Sequence, residues 1–151
     1  MTAADIAQAV ANRGLSASAV VADTLARIAK DNPVLNAFTD VTAERAINRA
    51  KEIDAAIAAG KTVGPLAGVP FAVKNLFDVK GLPTRAGSKI NRELAPAPHD
   101  AVLVERLEAA GAILVGALNM GEYAYDFTGE NVHDGPSRLS LIHISEPTRP
   151  Y

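Results

Sequence analysis

Two nearly unbroken apolar runs, separated by a helical segment, constrain the fold of this chain more than any other feature. The first run spans residues 69–73 and the second spans residues 112–115. Such runs are typical of strands that are buried on both faces of a sheet. Between them, Asp100 can cap a helix that Gly111 can end. The apolar face of that helix consists of Leu103, Leu107 and Ala110. A strand, a crossover helix and a second strand predict a parallel pair with a right-handed connection, and therefore an α/β fold.

The residues before the first apolar run predict helices around a short strand. Residues 3–30 predict a helical hairpin, whose first helix starts after Thr2 and whose second helix is capped by Ser16 or Ser18. Residues 31–33, Asp-Asn-Pro, are expected to stop that second helix. Residues 35–41 then predict an edge strand. A third helix is predicted between Thr42, as its cap, and Gly60, and its apolar stripe consists of Ala46, Ala50, Ile53 and Ile57.

Composition excludes several classes of function. The chain has 151 residues and a formal net charge of −2, and it has no cluster of basic residues, so we expect no direct nucleic-acid or membrane partner. The absence of cysteine excludes disulfides and thiolate metal sites. The apolar runs are too short to cross a bilayer, and the first residues do not resemble a signal peptide. We therefore expect a cytoplasmic protein.

Lys74 ends the first apolar run and begins a long segment, residues 75–99, without clear periodicity. Open α/β sheets place ligands beside the carboxyl ends of their strands, so a site is expected here. Desolvation at this position would disfavour the ammonium form and suit Lys74 to act as a general base. The alternative is an ordinary lysine whose stem packs while its amine reaches water.

The residues around Lys74 resemble the lysine segment of the amidase-signature family. The match covers 25 consecutive positions, residues 64–88, GPLAGVPFAVKNLFDVKGLPTRAGS. It continues through residues 107–116, LEAAGAILVG, and residues 118–131, LNMGEYAYDFTGEN. Asn75-Leu76 stands where many family members have Asp-Asn. The resemblance implies the amino-terminal portion of the amidase-signature fold: a helical hairpin, then a mixed sheet with crossover helices, with the sheet incomplete.

The family resemblance also implies a Ser, cis-Ser, Lys mechanism without a cofactor, in which Lys74 is the catalytic base. The two family serines lie in a Gly-Gly-Ser-Ser-Gly-Gly-like passage after the Gly135-Pro136 region, and residues 1–151 contain no such passage. Ser88 and Ser137 are therefore predicted to be structural, as serines in turns usually are. Without the nucleophile and the oxyanion donors, we expect this chain to be catalytically incompetent.

Residues after the second apolar run resemble the pocket-lining loop of the family. The predicted substrate-binding residues are Asn119, Met120, Gly121, Glu122 and Tyr123. The alternative is that Met120 and Tyr123 simply fill the core, since both residue types pack well. The pairs His99-Asp100 and His133-Asp134 lack further ligand-type neighbours, so no metal site is predicted.

Residues 118–131 look most similar to the carboxybiuret-hydrolase branch of the family. That resemblance implies a linear, non-peptide amide as a small-molecule substrate. It also implies a possible homo-oligomer of the full-length protein and a possible small accessory subunit. Two alternatives stay open: the A subunit of the tRNA-dependent aspartyl/glutamyl amidotransferase, and a non-catalytic module that holds an amide or carboxylate ligand.

The last residues, 139–151, LSLIHISEPTRPY, match nothing in the family and resemble the translation of a sequencing adapter. A segment of that origin carries no information about the fold. We therefore expect residues 1–138 to be the amino-terminal part of a single domain and residues 139–151 to be a non-native tail. The alternative is a genuine exposed tail, and the nucleotide sequence after the Arg138 codon distinguishes the two.

Overall fold

The computed structural model describes residues 1–125 and 128–138, so the predicted tail lies outside the described residues. Besides the short 3-10 helices Lys89–Asn91 and Glu122–Ala124, four α-helices and three strands form in this part of the chain. In chain order they are α1 (Ala3–Ala11), α2 (Ala17–Leu35), β1 (Phe38–Val41), α3 (Ala43–Ala58), β2 (Pro70–Lys74), α4 (Val102–Ala109) and β3 (Ile113–Leu118). No helix in residues 1–125 or 128–138 is long and apolar enough to cross a membrane.

The helical hairpin is confirmed, but its second helix is longer than predicted. Thr2 caps α1 in a capping box with Asp5, and the Ser16 side chain caps α2. The predicted stop at residues 31–33 is wrong, because α2 continues through Pro33 to Leu35. The side chain of Asn32 bonds both the N–H and the carbonyl of Phe38 and so holds the last turn against the following strand. Asn36, with a φ of 48°, then ends the helix in the left-handed region.

The sheet is mixed, with β3 between the two other strands. β2 pairs with β3 in parallel, as the crossover pattern predicts, whereas β1 pairs with β3 antiparallel at the other side. In the register, Lys74 lies opposite Leu118. The central strand is buried from Ile113 to Ala117, but in β2 only Val73 is fully buried. The prediction of burial on both faces is therefore right for β3 and wrong for β2, which is an edge strand among the described residues.

Hydrophobic packing covers both faces of β3. Because successive strand residues point to opposite faces, Ile113 and Val115 pack against the helices α1, α2 and α3, while Leu114 packs on the other side. Alanines of α3 allow that helix to lie close to the sheet, as predicted. The opposite cluster consists of Val73, Val79, Val104 and Leu114. In α4, Val104 is the buried residue, whereas Leu103 of the predicted face is 46% exposed.

Two predicted helix caps have different roles in the structure. Thr42 precedes α3, but its hydroxyl donates to the Leu114 carbonyl at 3.0 Å and so ties the helix start to β3. Asp100 does not cap α4, whose N-cap residue is Ala101. Its carboxylate instead accepts two hydrogen bonds from Arg45 of α3, at 2.7 and 2.9 Å, and one from the Lys80 N–H. Arg45 also binds Glu108 of α4.

The Arg45 network predicts a pH-dependent contribution to stability. The hydrogen bond from Arg45 lowers the pKa of Asp100 below its ordinary value of 3.8, although partial burial acts against it. As the pH falls, the unfolded state therefore takes up this proton first. The stabilisation by the Asp100 carboxylate is complete above the ordinary pKa of an unfolded aspartate. It is lost as the pH falls through the lower pKa that Asp100 has in the folded protein. We expect Asp100→Asn to lower the free energy of unfolding by about 2 kcal/mol at pH 7.

The matched control is Glu52→Gln, since Glu52 forms an exposed pair with Arg49. Its effect should stay below about 0.5 kcal/mol. Urea denaturation of the full-length protein at pH 7 and again at pH 3 measures both variants. A deficit of Asp100→Asn that is equally large at the two pH values would contradict the assigned role of the carboxylate.

Candidate functional site

Lys74 lies at the carboxyl end of β2, where the first long loop begins. Its side chain is exposed, while that of the preceding residue Val73 is only 5% exposed. Neighbouring strand residues face opposite sides of the sheet, so the cluster that buries Val73 does not cover Lys74. The expected desolvation of Lys74 is therefore wrong for the described part of the chain. The amine is instead accessible from the edge of the sheet.

The register of the sheet brings the predicted pocket loop beside Lys74. Lys74 lies opposite Leu118, the last residue of β3, and residues 119–123 follow at once. The Asn75 N–H donates to the Leu118 carbonyl at 3.0 Å, which fixes the two strand ends side by side. Lys74 and residues 119–123 thus share the carboxyl edge of a parallel pair, where α/β proteins place their ligands.

The first three residues of this loop are buried. Asn119 is 7% exposed, and its side-chain amide donates to the carbonyls of Asn36 and Gly135 at 3.1 and 3.0 Å. Its side-chain oxygen accepts from the Met120 N–H. Met120 is 3% exposed and Gly121 is also buried. Residues 119–121 therefore hold the loop in place. Met120 packs in the interior of the described part of the chain, which is the alternative given for it above.

Glu122 and Tyr123 are the exposed members of the loop. The Ser88 hydroxyl donates to the Glu122 carboxylate at 2.5 Å, and the His133 Nε2 lies 3.4 Å from the same oxygen. The hydrogen bond from Ser88 lowers the pKa of Glu122. Tyr123 is 56% exposed and exchanges hydrogen bonds with Asn91 through its hydroxyl. Within residues 119–123, these two side chains are the ones exposed to solvent.

A buried asparagine joins the loops around this edge. Asn131, which is 4% exposed, donates to the carbonyls of Gly87 and Met120 at 2.7 and 2.6 Å. Its side-chain oxygen accepts from the N–H groups of His133 and Asp134. Gly87 has a φ of 68°, and a Cβ there would lie 2.7 Å from the Met120 carbonyl oxygen, so only glycine fits this crossing.

The polar residues that hold this edge together are not among the site residues predicted from the sequence. Ser88 is predicted as an ordinary turn serine, yet it is 1% exposed and binds Glu122. Ser137 does lie in a turn, where its N–H donates to the Gly129 carbonyl. Asn75 and Asn131 carry most of the connections, and neither is predicted as a site residue. The departure from the family pattern at Asn75 is the signal that could have pointed to that residue.

The site offers an accessible amine beside a rigid loop with a carboxylate and a phenol. Within residues 1–125 and 128–138, no group of three or more histidine, aspartate or glutamate side chains is placed to hold a metal ion. Asp134 is instead bound by Arg92. The arrangement offers an amine, a carboxylate and a phenol, which are groups that can orient a polar ligand.

Comparison with known proteins gives one family. The family model described as Amidase matches residues 19–140. The chain is 53% identical over 138 residues to AtzE, the 1-carboxybiuret hydrolase subunit of Pseudomonas sp. (strain ADP), covering 91% of this chain and 30% of that protein. It is 42% identical to the A subunit of the glutamyl-tRNA(Gln) amidotransferase of Acidothermus cellulolyticus, covering 91% of this chain and 27% of that one.

Solved structures give the same result. A structure described as a vestigial protein complex that reveals the origins of an s-triazine catabolic enzyme superposes with a TM-score of 0.92 at 52% identity. That alignment covers 93% of this chain and 31% of the other chain. A bacterial aryl acylamidase of the amidase-signature family superposes with a TM-score of 0.82 at 28% identity, covering 91% and 29%. The chain spans about 30% of the length of the relatives that it matches.

Proposed function

The chain belongs to the amidase-signature family, and from that premise we propose that the full-length protein hydrolyses a carbon–nitrogen bond of a linear amide with Lys74 as general base. In the proposed reaction, a bridging serine relays the proton of a nucleophilic serine to Lys74. The nucleophile attacks the carbonyl carbon, the C–N bond breaks, and the nitrogen leaves with a proton. Water then hydrolyses the acyl-enzyme and restores the serine.

The observation that supports this proposal best is the position of Lys74. An accessible amine stands at the carboxyl end of β2 and next to the exit of β3, in a chain that is 53% identical to a carboxybiuret hydrolase subunit. An amine in this place can accept a proton from a hydroxyl brought to the same edge. We propose that later segments of the full-length protein supply both serines and also cover Lys74, which would favour its neutral form.

The proposed substrate is a small linear amide related to 1-carboxybiuret. Of the predicted pocket residues, Glu122 and Tyr123 are proposed to contact it, while Asn119, Met120 and Gly121 hold the loop. The test measures product release by the full-length protein: ammonia from 1-carboxybiuret and from free glutamine, and arylamine from an aryl acylamide, the last two being comparison substrates. We expect kcat/KM for 1-carboxybiuret to exceed the other values at least about a hundredfold, an effect of roughly 3 kcal/mol. Equal rates would contradict the substrate assignment.

A second candidate is the A subunit of a glutamyl-tRNA amidotransferase, supported by the 42% identity to that protein in Acidothermus cellulolyticus. This function predicts hydrolysis of glutamine that depends on partner proteins and on mischarged tRNA. The same assay with those components added therefore separates the two activities. A rate with glutamine that rises on their addition, while 1-carboxybiuret stays inert, would favour the amidotransferase.

We propose that residues 1–138 are the amino-terminal part of a single domain and that residues 139–151 are a non-native tail. We propose that a chain of these residues alone does not turn over amides, because it contains no Gly-Gly-Ser-Ser-Gly-Gly-like passage. A ligand-holding module without catalysis is the remaining alternative for such a chain. Turnover by the 151-residue chain that disappeared in Lys74→Ala would show that the required hydroxyl is present after all.

We also propose that the full-length protein binds a small accessory subunit and lies in the cytoplasm. A small accessory subunit is supported by the similar structure that is described as a protein complex. A homo-oligomer of the full-length protein is proposed alongside it. A cytoplasmic location agrees with the absence of cysteine from the sequence.

A further inference from the structure

Asn75, the residue after Lys74, is 2% exposed and is hydrogen-bonded through all its polar groups. Its N–H donates to the Leu118 carbonyl at 3.0 Å, and its carbonyl accepts from the Ala86 N–H at 2.9 Å. Its side-chain oxygen accepts from the Gly87 N–H at 2.9 Å. Its side-chain nitrogen donates to the Thr39 hydroxyl at 3.3 Å. One residue thus connects the end of β2 to β1, to β3 and to the loop around Gly87.

These bonds limit the movement of Lys74. The backbone on its carboxyl side is fixed by Asn75, and the strand register with β3 fixes the other side. The Asn75 side chain binds the N–H of Gly87, and the Asn131 side chain binds the carbonyls of both Gly87 and Met120. Asn75 is therefore linked through Gly87 to the pocket loop. A shift of the Asn75 side chain would therefore move Lys74 relative to residues 119–123.

The side-chain amide of Asn75 also differs chemically from the carboxylate of the aspartate that many family members have at this position. A carboxylate could still accept from the Gly87 N–H, but it could not donate to Thr39. It would also place a negative charge one residue from Lys74, and an adjacent negative charge favours the ammonium form of a lysine. On the neighbouring elements, Asp40 of β1 follows Thr39 and is paired with Arg85, and Glu122 lies beside His133.

We infer that Asn75 is a positioning residue for Lys74, and that its uncharged amide lets Lys74 serve as a base at lower pH than a carboxylate in its place would. This inference rests on the proposed function, because it requires Lys74 to be the base. It adds a residue that acts through Lys74 and does not itself contact the substrate.

The experiment compares Asn75→Ala and Asn75→Asp in the full-length protein. Asn75→Ala removes both side-chain bonds, so kcat should fall about tenfold to a hundredfold with KM nearly unchanged. Asn75→Asp should shift the acidic limb of the kcat/KM profile upward by about one pH unit, because a new negative charge next to the lysine favours its ammonium form. Asn48→Asp is the matched control, because Asn48 is an exposed residue of α3 and the variant adds the same charge.

The outcomes separate this inference from the proposed function. Wild-type kcat in Asn75→Ala would overturn the positioning role, and an acidic limb in Asn75→Asp that coincides with that of Asn48→Asp would overturn the charge argument. Activity that survives in Lys74→Ala would contradict the proposed function itself. If Asn75→Ala does not fold, Asn75→Asp, which keeps the acceptor for the Gly87 N–H, decides the inference through its pH profile.

Discussion

Replacement of Lys74 by alanine in the full-length protein is expected to lower kcat for amide hydrolysis about a thousandfold, with a small change in KM. The reason is that removal of a positioned general base costs a factor of about 10² to 10⁴ in rate, or roughly 3 to 5 kcal/mol of transition-state stabilisation. The buried cluster around Val73 does not include Lys74, so truncation of this side chain leaves that core intact and should not unfold the protein. Steady-state ammonia release measures the loss, and circular dichroism checks the fold.

Two further variants make this result specific to base chemistry. Lys74→Arg keeps the positive charge but stays protonated at any accessible pH, so it should be as inactive as the alanine variant. Lys61→Ala removes an exposed lysine at the opposite end of the strands, just before the segment 64–68 that bonds Ala110 and Gly111. This control variant should keep the wild-type kcat. Activity of Lys74→Arg near the wild-type level would mean that only the charge matters.

The family and the fold class could be predicted from the sequence, and both are confirmed. The predicted helices and strands are present because their signals are local: the apolar stripe of α3, the capping box at Thr2 and the continuous run in β3. Errors arise where a contact outside the element decides the outcome. Asn32 extends α2 through Pro33 by binding Phe38, and Arg45 takes Asp100 away from the start of α4.

The sequence predicts where a site should lie, but not how its residues contact one another. The rule for strand ends places Lys74 and residues 119–123 at one edge, and the register shows that β2 and β3 end side by side. Their roles as base and pocket residues stay predictions. The polar network of Asn75, Ser88 and Asn131 depends on contacts between residues up to 44 positions apart, which no local pattern encodes. The exposure of Lys74 follows from the edge position of β2, which only the strand order reveals.

Gly116→Ala is expected to be strongly destabilising, although it adds only one methyl group to β3. A Cβ at this position would lie 2.4 Å from the Asp40 carbonyl oxygen and 2.9 Å from the Phe38 ring. The first of these neighbours is backbone, so it cannot yield by a simple rotamer change. Gly116 lies in the central strand, opposite Val41 on β1 and Ala72 on β2. We expect the free energy of unfolding to fall by about 3 kcal/mol, the upper range for overpacking a core.

The effect should extend to the site, because β2 shifts register beside Gly116 and β1 shifts register opposite Ala117 and Leu118. The irregularities lie between Phe38 and Asp40 on β1 and between Phe71 and Ala72 on β2. Displacement of β3 there would move Leu118, which is the register partner of Lys74. Gly14→Ala is the matched control, since a Cβ at Gly14 would meet only the Ala9 carbonyl oxygen, at an ordinary 3.5 Å. Urea denaturation should give wild-type stability for Gly14→Ala and a clear loss for Gly116→Ala, and equal midpoints for the two variants would show that β1 can move aside without cost.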